Sequence, residues 1–290
     1  MALTETQRER RRKHIGASDT PAILGLSPFR NPADVFYTKG QYATEDVTTD
    51  AMETGNRLEG PLLDYAAEKL GVEIDREDLF RISKGGILAA TLDGLVIGKP
   101  EAVEAKYVGP AYAADWGLEG TDQIPSHVIV QCQHQIYVAG LERVHVVAAI
   151  ARYSLEWCLF VVERNETLID TIIDADSRFW NDYVIPGVCP PDVLPALDTL
   201  KALVRVPDKE VQVPKQLVKD YEKAHAAQSF VKRQVERVDA ALIAALGDAE
   251  VGDYGDPDKQ VTYRRIDVAA SVRKAYSYPK LQNAKRKGNA

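Results

Sequence analysis

Between Thr91 and Lys106 the chain reads T-L-D-G-L-V-I-G-K-P-E-A-V-E-A-K, and no other stretch limits the fold as tightly. Leu92, Leu95, Val96, Ile97 and Val103 are strand formers, while Gly98-Lys99-Pro100 has the chemistry of a tight turn. Two short strands joined by that turn are expected. Folding at Lys99–Pro100 sets Asp93 opposite Lys106 and Val103–Glu104 opposite Leu95–Val96. Side chains alternate along a strand, so Glu104 and Lys106 share one face and Ala105 takes the other. Two carboxylates and an ammonium are then expected on one surface. Paired acids suit a divalent cation held by oxygen ligands. A lysine beside them can orient or help deprotonate an attacking water, or stabilise charge on a phosphate. The same spacing also fits an exposed hairpin with a cross-strand Asp–Lys pair, so the surroundings decide between the two.

With 290 residues, the chain can build one large core, or a core with appendages. No apolar run is long enough to span a bilayer, and the first residues lack the apolar centre of a signal peptide. Cys132, Cys158 and Cys189 are scattered and odd in number, which suggests neither a disulfide framework nor a zinc ribbon and fits a reducing cytosol. A net charge of −7 argues against indiscriminate coating of nucleic acid, but not against a focused basic groove. Positive charge gathers at Arg8, Arg10, Arg11, Arg12 and Lys13, and again at Lys280, Lys285, Arg286 and Lys287. The second cluster reads as a solvated terminus.

In chain order, residues 1–14 read as a charged helix or arm. Ser18 or Asp19 can cap a short helix that starts at Thr20-Pro21 and stops at Gly25. The Gly16-Ala17-Ser18 turn before it is a natural anion site, with plain capping the simpler reading. Residues 32–40 form another short helix, and 41–53 a polar loop. A helix ending at Gly71 follows, in which Glu59, Leu63, Ala66 and Leu70 share a face. Asn56 and Glu59 resemble a capping box, although Pro61 favours the first helical position. Strands are expected at Leu79–Ile82 and Ile87–Ala90, a loop at 107–124, and a helix from Pro125 to Gly140 with Gln133 and Tyr137 on one face. A strand pair at Arg143–Ala151 and Glu156–Glu163 and an amphipathic helix complete an α/β core with a mixed sheet flanked by helices.

Residues 1–195 are thus expected to form the core, and 196–290 a C-terminal extension. Leu217, Tyr221, Ala224, Gln228, Val231, Val235, Val238, Leu242 and Ala245 recur at spacings of 4 and 3, a heptad seam on a long helix over 214–246. That seam can lie in a groove of its own chain or against another. A strand at Gln260–Ile266 gives a small β segment, and the tail from Asn283 reads as disordered.

Taken together, I-G-A-S-D near the N-terminus, G-x-x-x-E in a following helix, D-G…E-A-K and a helix with Q-x-x-x-Y resemble the YqaJ-like viral recombinases. That family groups with the lambda-exonuclease-type phage alkaline exonucleases in the PD-(D/E)xK superfamily. The resemblance covers roughly residues 8–185 and implies a restriction-endonuclease-like core. It also implies roles. Asp93 and Glu104 would ligate Mg²⁺ or Mn²⁺ with the backbone carbonyl of Ala105, Glu59 would support the metal site, and Lys106 would position or activate water. Gln133 would buttress the site, with Tyr137 beside it touching the DNA backbone. Arg11, Ser18 and Thr91 would hold a 5′-phosphate. His127 stands where related sequences often carry tyrosine.

The activity so implied is a Mg²⁺-dependent 5′→3′ exonuclease that degrades one strand of linear duplex DNA. It would leave 3′ single strands for a phage single-strand annealing protein. Double-stranded DNA ends, that annealing protein and further copies of the chain (a trimer by family analogy) are the implied partners, in the cytoplasm of a bacterial host carrying the phage or prophage. Another PD-(D/E)xK nuclease, either an endonuclease or an enzyme of opposite polarity, is the alternative. A catalytically silent DNA-end-binding module is the third reading.

Overall fold

The structure, a computed structural model, describes residues 5–40, 42, 49–77, 79–255 and 260–263. The expected disordered tail, the basic cluster near residue 285 and the end of the Gln260–Ile266 strand lie outside the described residues. Two compact units emerge, Met1–Arg205 and Val206–Ala290.

The first unit opens with α1 (Glu5–Lys13), β1 (Ile15–Gly16), α2 (Thr20–Ile23) and α3 (Pro32–Tyr37), followed by the long α4 (Asp50–Leu70). Short strands β2 (Ile74–Asp75), β3 (Phe80–Ile82), β4 (Leu88–Thr91) and β5 (Gly94–Val96) lead into β6 (Glu101–Val108). A 3₁₀ turn at Pro110–Asp115, α5 (Ser126–Ala139), β7 (Arg143–Ala151), β8 (Leu155–Glu163), α6 (Glu166–Phe179) and α7 (Leu197–Lys201) complete it.

Five strands form a mixed sheet in the order β2-β5-β6-β7-β8. Only β6 and β7 run parallel in it. Such a pair needs a crossover, and α5 supplies it. A smaller sheet in the order β1-β4-β3 joins β1 to β4 in parallel. The mixed α/β architecture expected from the sequence is therefore present, and alternation along β6 explains its layering. Ala102 and Val108 pack with Val128, Cys132 and Ile136 of α5, while Val103, Ala105 and Tyr107 pack toward Leu62, Leu63 and Ala66 of α4. β7 is buried on both faces, which is why it reads as a nearly unbroken apolar run.

Both sheet edges are short or covered. β2 has two residues. Along β8, Gly120 donates its N–H to the Leu159 carbonyl, Val161 donates to the Thr121 carbonyl, and the Leu159 N–H is taken by the Glu119 carboxylate.

Two local expectations need correction. α4 opens at Asp50 with Thr49 as its cap, the Thr49 side chain accepting the Met52 N–H. Asn56 and Glu59 therefore form no capping box, and Pro61 sits inside the helix. Pro61 is exposed, so water can serve the carbonyl that loses its N–H partner. The division between units also falls later than residue 195, because buried Asp34 accepts the Ala196 N–H and the Thr199 hydroxyl and thereby docks α7 on α3. In the second unit, α8 (Lys215–Leu246) carries the heptad seam, followed by antiparallel β9 (Val251–Gly252) and β10 (Val261–Thr262).

Candidate active site

The β5–β6 hairpin turns one residue earlier than the sequence suggested. Gly94 pairs with Val103 and Leu95 with Ala102, so Asp93 stands beside Glu104 rather than opposite Lys106. The turn accounts for the slip: Gly98 adopts φ +80°, and the Lys99 N–H returns to the Val96 carbonyl at 3.3 Å. A two-residue slip leaves every side chain on its original face, so the surface combining two acids and a lysine survives. Gly94 is required by close approach. A Cβ there would lie 2.5 Å from Ile74 Cγ2 and 3.4 Å from Leu63 Cδ2.

Each side chain of the cluster is held. Asp93 Oδ2 accepts the Ala105 N–H at 2.8 Å. Glu104 is 4% exposed; its Oε1 accepts from Lys106 Nζ at 2.6 Å and from Gln131 Nε2 at 2.6 Å. Its Oε2 accepts from Gln135 Nε2 at 2.6 Å. Lys106 Nζ also donates to Gln131 Oε1 at 2.9 Å. Burial and the neighbouring Glu104 carboxylate push Asp93 well above the usual carboxylate range, against the opposing pull of the Ala105 N–H and Lys106. Glu59 is raised by the same two causes. Burial draws the Lys106 ammonium down, but Glu104 and Asp93 outweigh it and its pKa ends raised. Lys106 is therefore a cation at neutral pH, suited to stabilising charge or orienting water more than to taking a proton.

Glu59 and Asp93 line a cleft of about 680 Å³ that also receives Arg11, Ser18, Thr91 and Gln131. Behind one wall, Asp19 accepts from Gly16 N–H, Lys39 Nζ and Arg30 Nη1. Asp19 thus occupies the N-cap position of α2 without capping it through its side chain, and it takes up a backbone N–H that the sequence left open for an anion. Lys39, with its side chain only 1% exposed, also donates to the Arg11 carbonyl. A second buried knot joins Thr20 Oγ1, His134 Nδ1 and Asp176 Oδ2, with Thr20 2.7 Å from each partner, and ties α2, α5 and α6 together.

Gln133 and Tyr137 are not part of the cluster. Gln133 Nε2 donates to the Glu163 carbonyl at 2.6 Å and its Oε1 accepts the Asn165 N–H at 2.9 Å, clamping the turn from β8 to α6. Tyr137 packs, partly buried, against Leu88, Val130 and Ile172. Gln131 and Gln135, four residues apart on the opposite flank of α5, are the glutamines that reach Glu104. Sequence reasoning passed over them, and over Lys39. Among the described residues no three His, Cys, Asp or Glu side chains converge closely enough to hold a metal by themselves. No helix among them is long and apolar enough to cross a membrane.

Residues 8–142 match the YqaJ-like viral recombinase domain. The match runs from α1 through α5 and so contains the whole acid–lysine cluster. The uncharacterized protein YqaJ of Bacillus subtilis (strain 168) is 30% identical over 182 residues, 62% of this chain and 56% of that protein. The chain thus spans just over half the length of this relative. Among solved structures, an alkaline exonuclease from Laribacter hongkongensis (LHK-Exo) aligns with a TM-score of 0.49 and 17% identity, covering 62% of this chain and 92% of that one. A phage-related exonuclease from Haemophilus somnus 129PT aligns with a TM-score of 0.40 and 12% identity, over 64% and 85%.

Proposed function

We propose that the chain is a divalent-metal-dependent deoxyribonuclease that degrades one strand of linear duplex DNA from its 5′ end. Its product, a 3′ single strand, would serve a phage annealing protein, and the trimer and host cytoplasm expected from the sequence belong to the same proposal. One observation carries the reading. Asp93 stands beside Glu104 across the hairpin and is fixed by the Ala105 N–H, Glu104 is bonded to Lys106, and the Asp93 edge opens on a cleft that also holds Glu59, Arg11, Ser18 and Thr91.

The donor set fits Mg²⁺ or Mn²⁺. Burial and the proximity of Glu104 raise both Asp93 and Glu59, and a divalent cation relieves the repulsion between these carboxylates. Mg²⁺ commonly takes one or two protein carboxylates and completes its shell with water and substrate phosphate, which suits a site lacking a third converging ligand. Asp93 and Glu104 would hold the ion with the Ala105 carbonyl, and Glu59 would support it. Bound there, the metal would supply charge neutralisation and an acidified water. The chain's own residues do the rest. The Ala105 N–H fixes Asp93, Gln131 and Gln135 fix Glu104, and the Lys106 ammonium orients the attacking water and meets charge developing on the phosphate. Arg11, Ser18 and Thr91 would receive a terminal 5′-phosphate.

The test uses linear duplexes with a 5′-phosphate on one strand only and a distinct label at each 3′ end. Selective loss of the phosphorylated strand from its 5′ end, with covalently closed circles left whole, is expected. Equal attack on both strands, or cutting of the circle, would retain a nuclease and overturn the 5′-end reading.

A further inference from the structure

Phe29 and Tyr112 are large, exposed and held in place. Phe29 is 60% and Tyr112 42% exposed, yet their rings meet nearly edge-on at 5.2 Å and 67°. Phe29 also meets the His127 ring at 5.9 Å and 87°. Three separate segments supply these rings: the turn after α2, the 3₁₀ turn at Pro110–Asp115, and the first turn of α5. Ser27 Oγ accepts the N–H groups of Phe29 and Arg30 at 3.2 and 3.3 Å, which fixes the first segment. Leaving two such rings in water forgoes burial, and edge-to-face packing does not recover it.

Two ties place the cluster on the rim of the acid–lysine site. The Arg30 guanidinium, next in sequence to Phe29, is bonded to Asp19 in the cleft wall. On the other side, His127 lies one helical turn before Gln131, whose Oε1 accepts from Lys106 Nζ at 2.9 Å, and burial and the Lys106 ammonium hold the His127 ring below the usual imidazole range. The ring trio therefore borders the flank of α5 that meets the lysine assigned to phosphate chemistry. Neutral, rigid aromatic surface beside a phosphodiester site matches the flat π-face of a base, which stacks irrespective of its identity.

We infer that Phe29 and Tyr112, braced by His127, form a stacking platform for an unpaired nucleobase next to the scissile phosphate. The inference rests on the nuclease reading, and two readouts separate them. Binding is followed with EDTA present, using a duplex end that carries 2-aminopurine at the terminal nucleotide. Wild-type protein should change its fluorescence on binding, and Phe29→Ala/Tyr112→Ala should not. Cleavage is followed in single turnovers on ends whose last nucleotides are normal or abasic. Removing the bases should slow the wild type on the order of 10- to 100-fold. The double variant should cut the normal end at that reduced rate and the abasic end as the wild type does, while Phe29→Trp retains the base dependence. Wild type that is indifferent to abasic ends, or a double variant that loses equal ground on both, overturns the platform. A base-dependent fluorescence change without any hydrolysis supports the platform and overturns only the nuclease reading.

Discussion

Replacing Lys39 with Met tests how the wall of the cleft is held. The lysine is almost wholly buried, and its ammonium meets the Asp19 carboxylate and the Arg11 carbonyl. Met keeps most of the side-chain volume and removes the charge. Asp19, with its side chain 8% exposed, would keep Arg30 and the Gly16 N–H, but would lose its buried partner. Breaking a buried pair from one side costs about 3–5 kcal/mol, and the surviving Arg30 contact puts the expectation near the lower end. At roughly 2–4 °C per kcal/mol for a domain of this size, the melting temperature should fall by about 6–12 °C. Acidity supplies an internal control. Lys39 and Arg30 overcome the burial penalty and hold Asp19 far below the usual carboxylate range. Its contribution to stability is therefore present above the unfolded value near 3.9 and is lost as pH falls below it. The gap between wild type and Lys39→Met should be full at pH 7 and begin to narrow as pH falls past about 4, closing only as it approaches the far lower folded value of Asp19. Asp19→Asn/Lys39→Met leaves no buried charge stranded, only the partly exposed Arg30 without its carboxylate, and should regain most of the loss at pH 7. Thermal melts across pH report all of this. A single variant as stable as the wild type at pH 7, or a gap that stays constant down to pH 3, would refute the reasoning.

Lys106→Ala and Asp93→Ala should each lower metal-dependent degradation of linear DNA on the order of 100-fold or more without loss of circular-dichroism signal; retained activity would put the site elsewhere. Gln133→Leu should cost about 1–3 kcal/mol in denaturant melts, by stranding the Asn165 N–H and the Glu163 carbonyl, and leave the rate per folded molecule unchanged, whereas Gln135→Leu should lower that rate. Gly94→Ala should destabilise by about 1–3 kcal/mol, through collision of its Cβ with Ile74. Because Asp93 and Glu59 are raised, the folded state loses stability from them as pH climbs above their unfolded values, so Mg²⁺ should raise the melting temperature more at pH 8 than at pH 5; equal shifts at both would argue against ion binding there.

Patterns with a fixed period were legible in the sequence. Alternation placed Glu104 and Lys106 together, and the apolar run of β7 marked a strand. What depended on partners distant in sequence was not. The hairpin register turned on the conformation of Gly98, which composition alone leaves open. On α5, Val128, Cys132 and Ile136 define the stripe that meets the sheet, and Gln131 and Gln133 flank Cys132 on opposite sides. Choosing between them requires knowing which flank faces β6, and that is set by the crossover rather than by the helix. The four-residue spacing of Gln131 and Gln135 was the available signal. Asp19 read as a cap because Lys39, its true partner, lies a helix away in the chain.

The loop from Glu119 to Thr121 leaves little of the β8 backbone open to an incoming strand, and β2 is too short to template one. Strand addition at either edge of the five-stranded sheet is therefore a disfavoured way for another protein to dock. Edge-to-edge growth of the sheet into fibres is also disfavoured, so Glu119→Ala, which frees the Leu159 N–H, should show itself first as concentration-dependent aggregation rather than as lost activity.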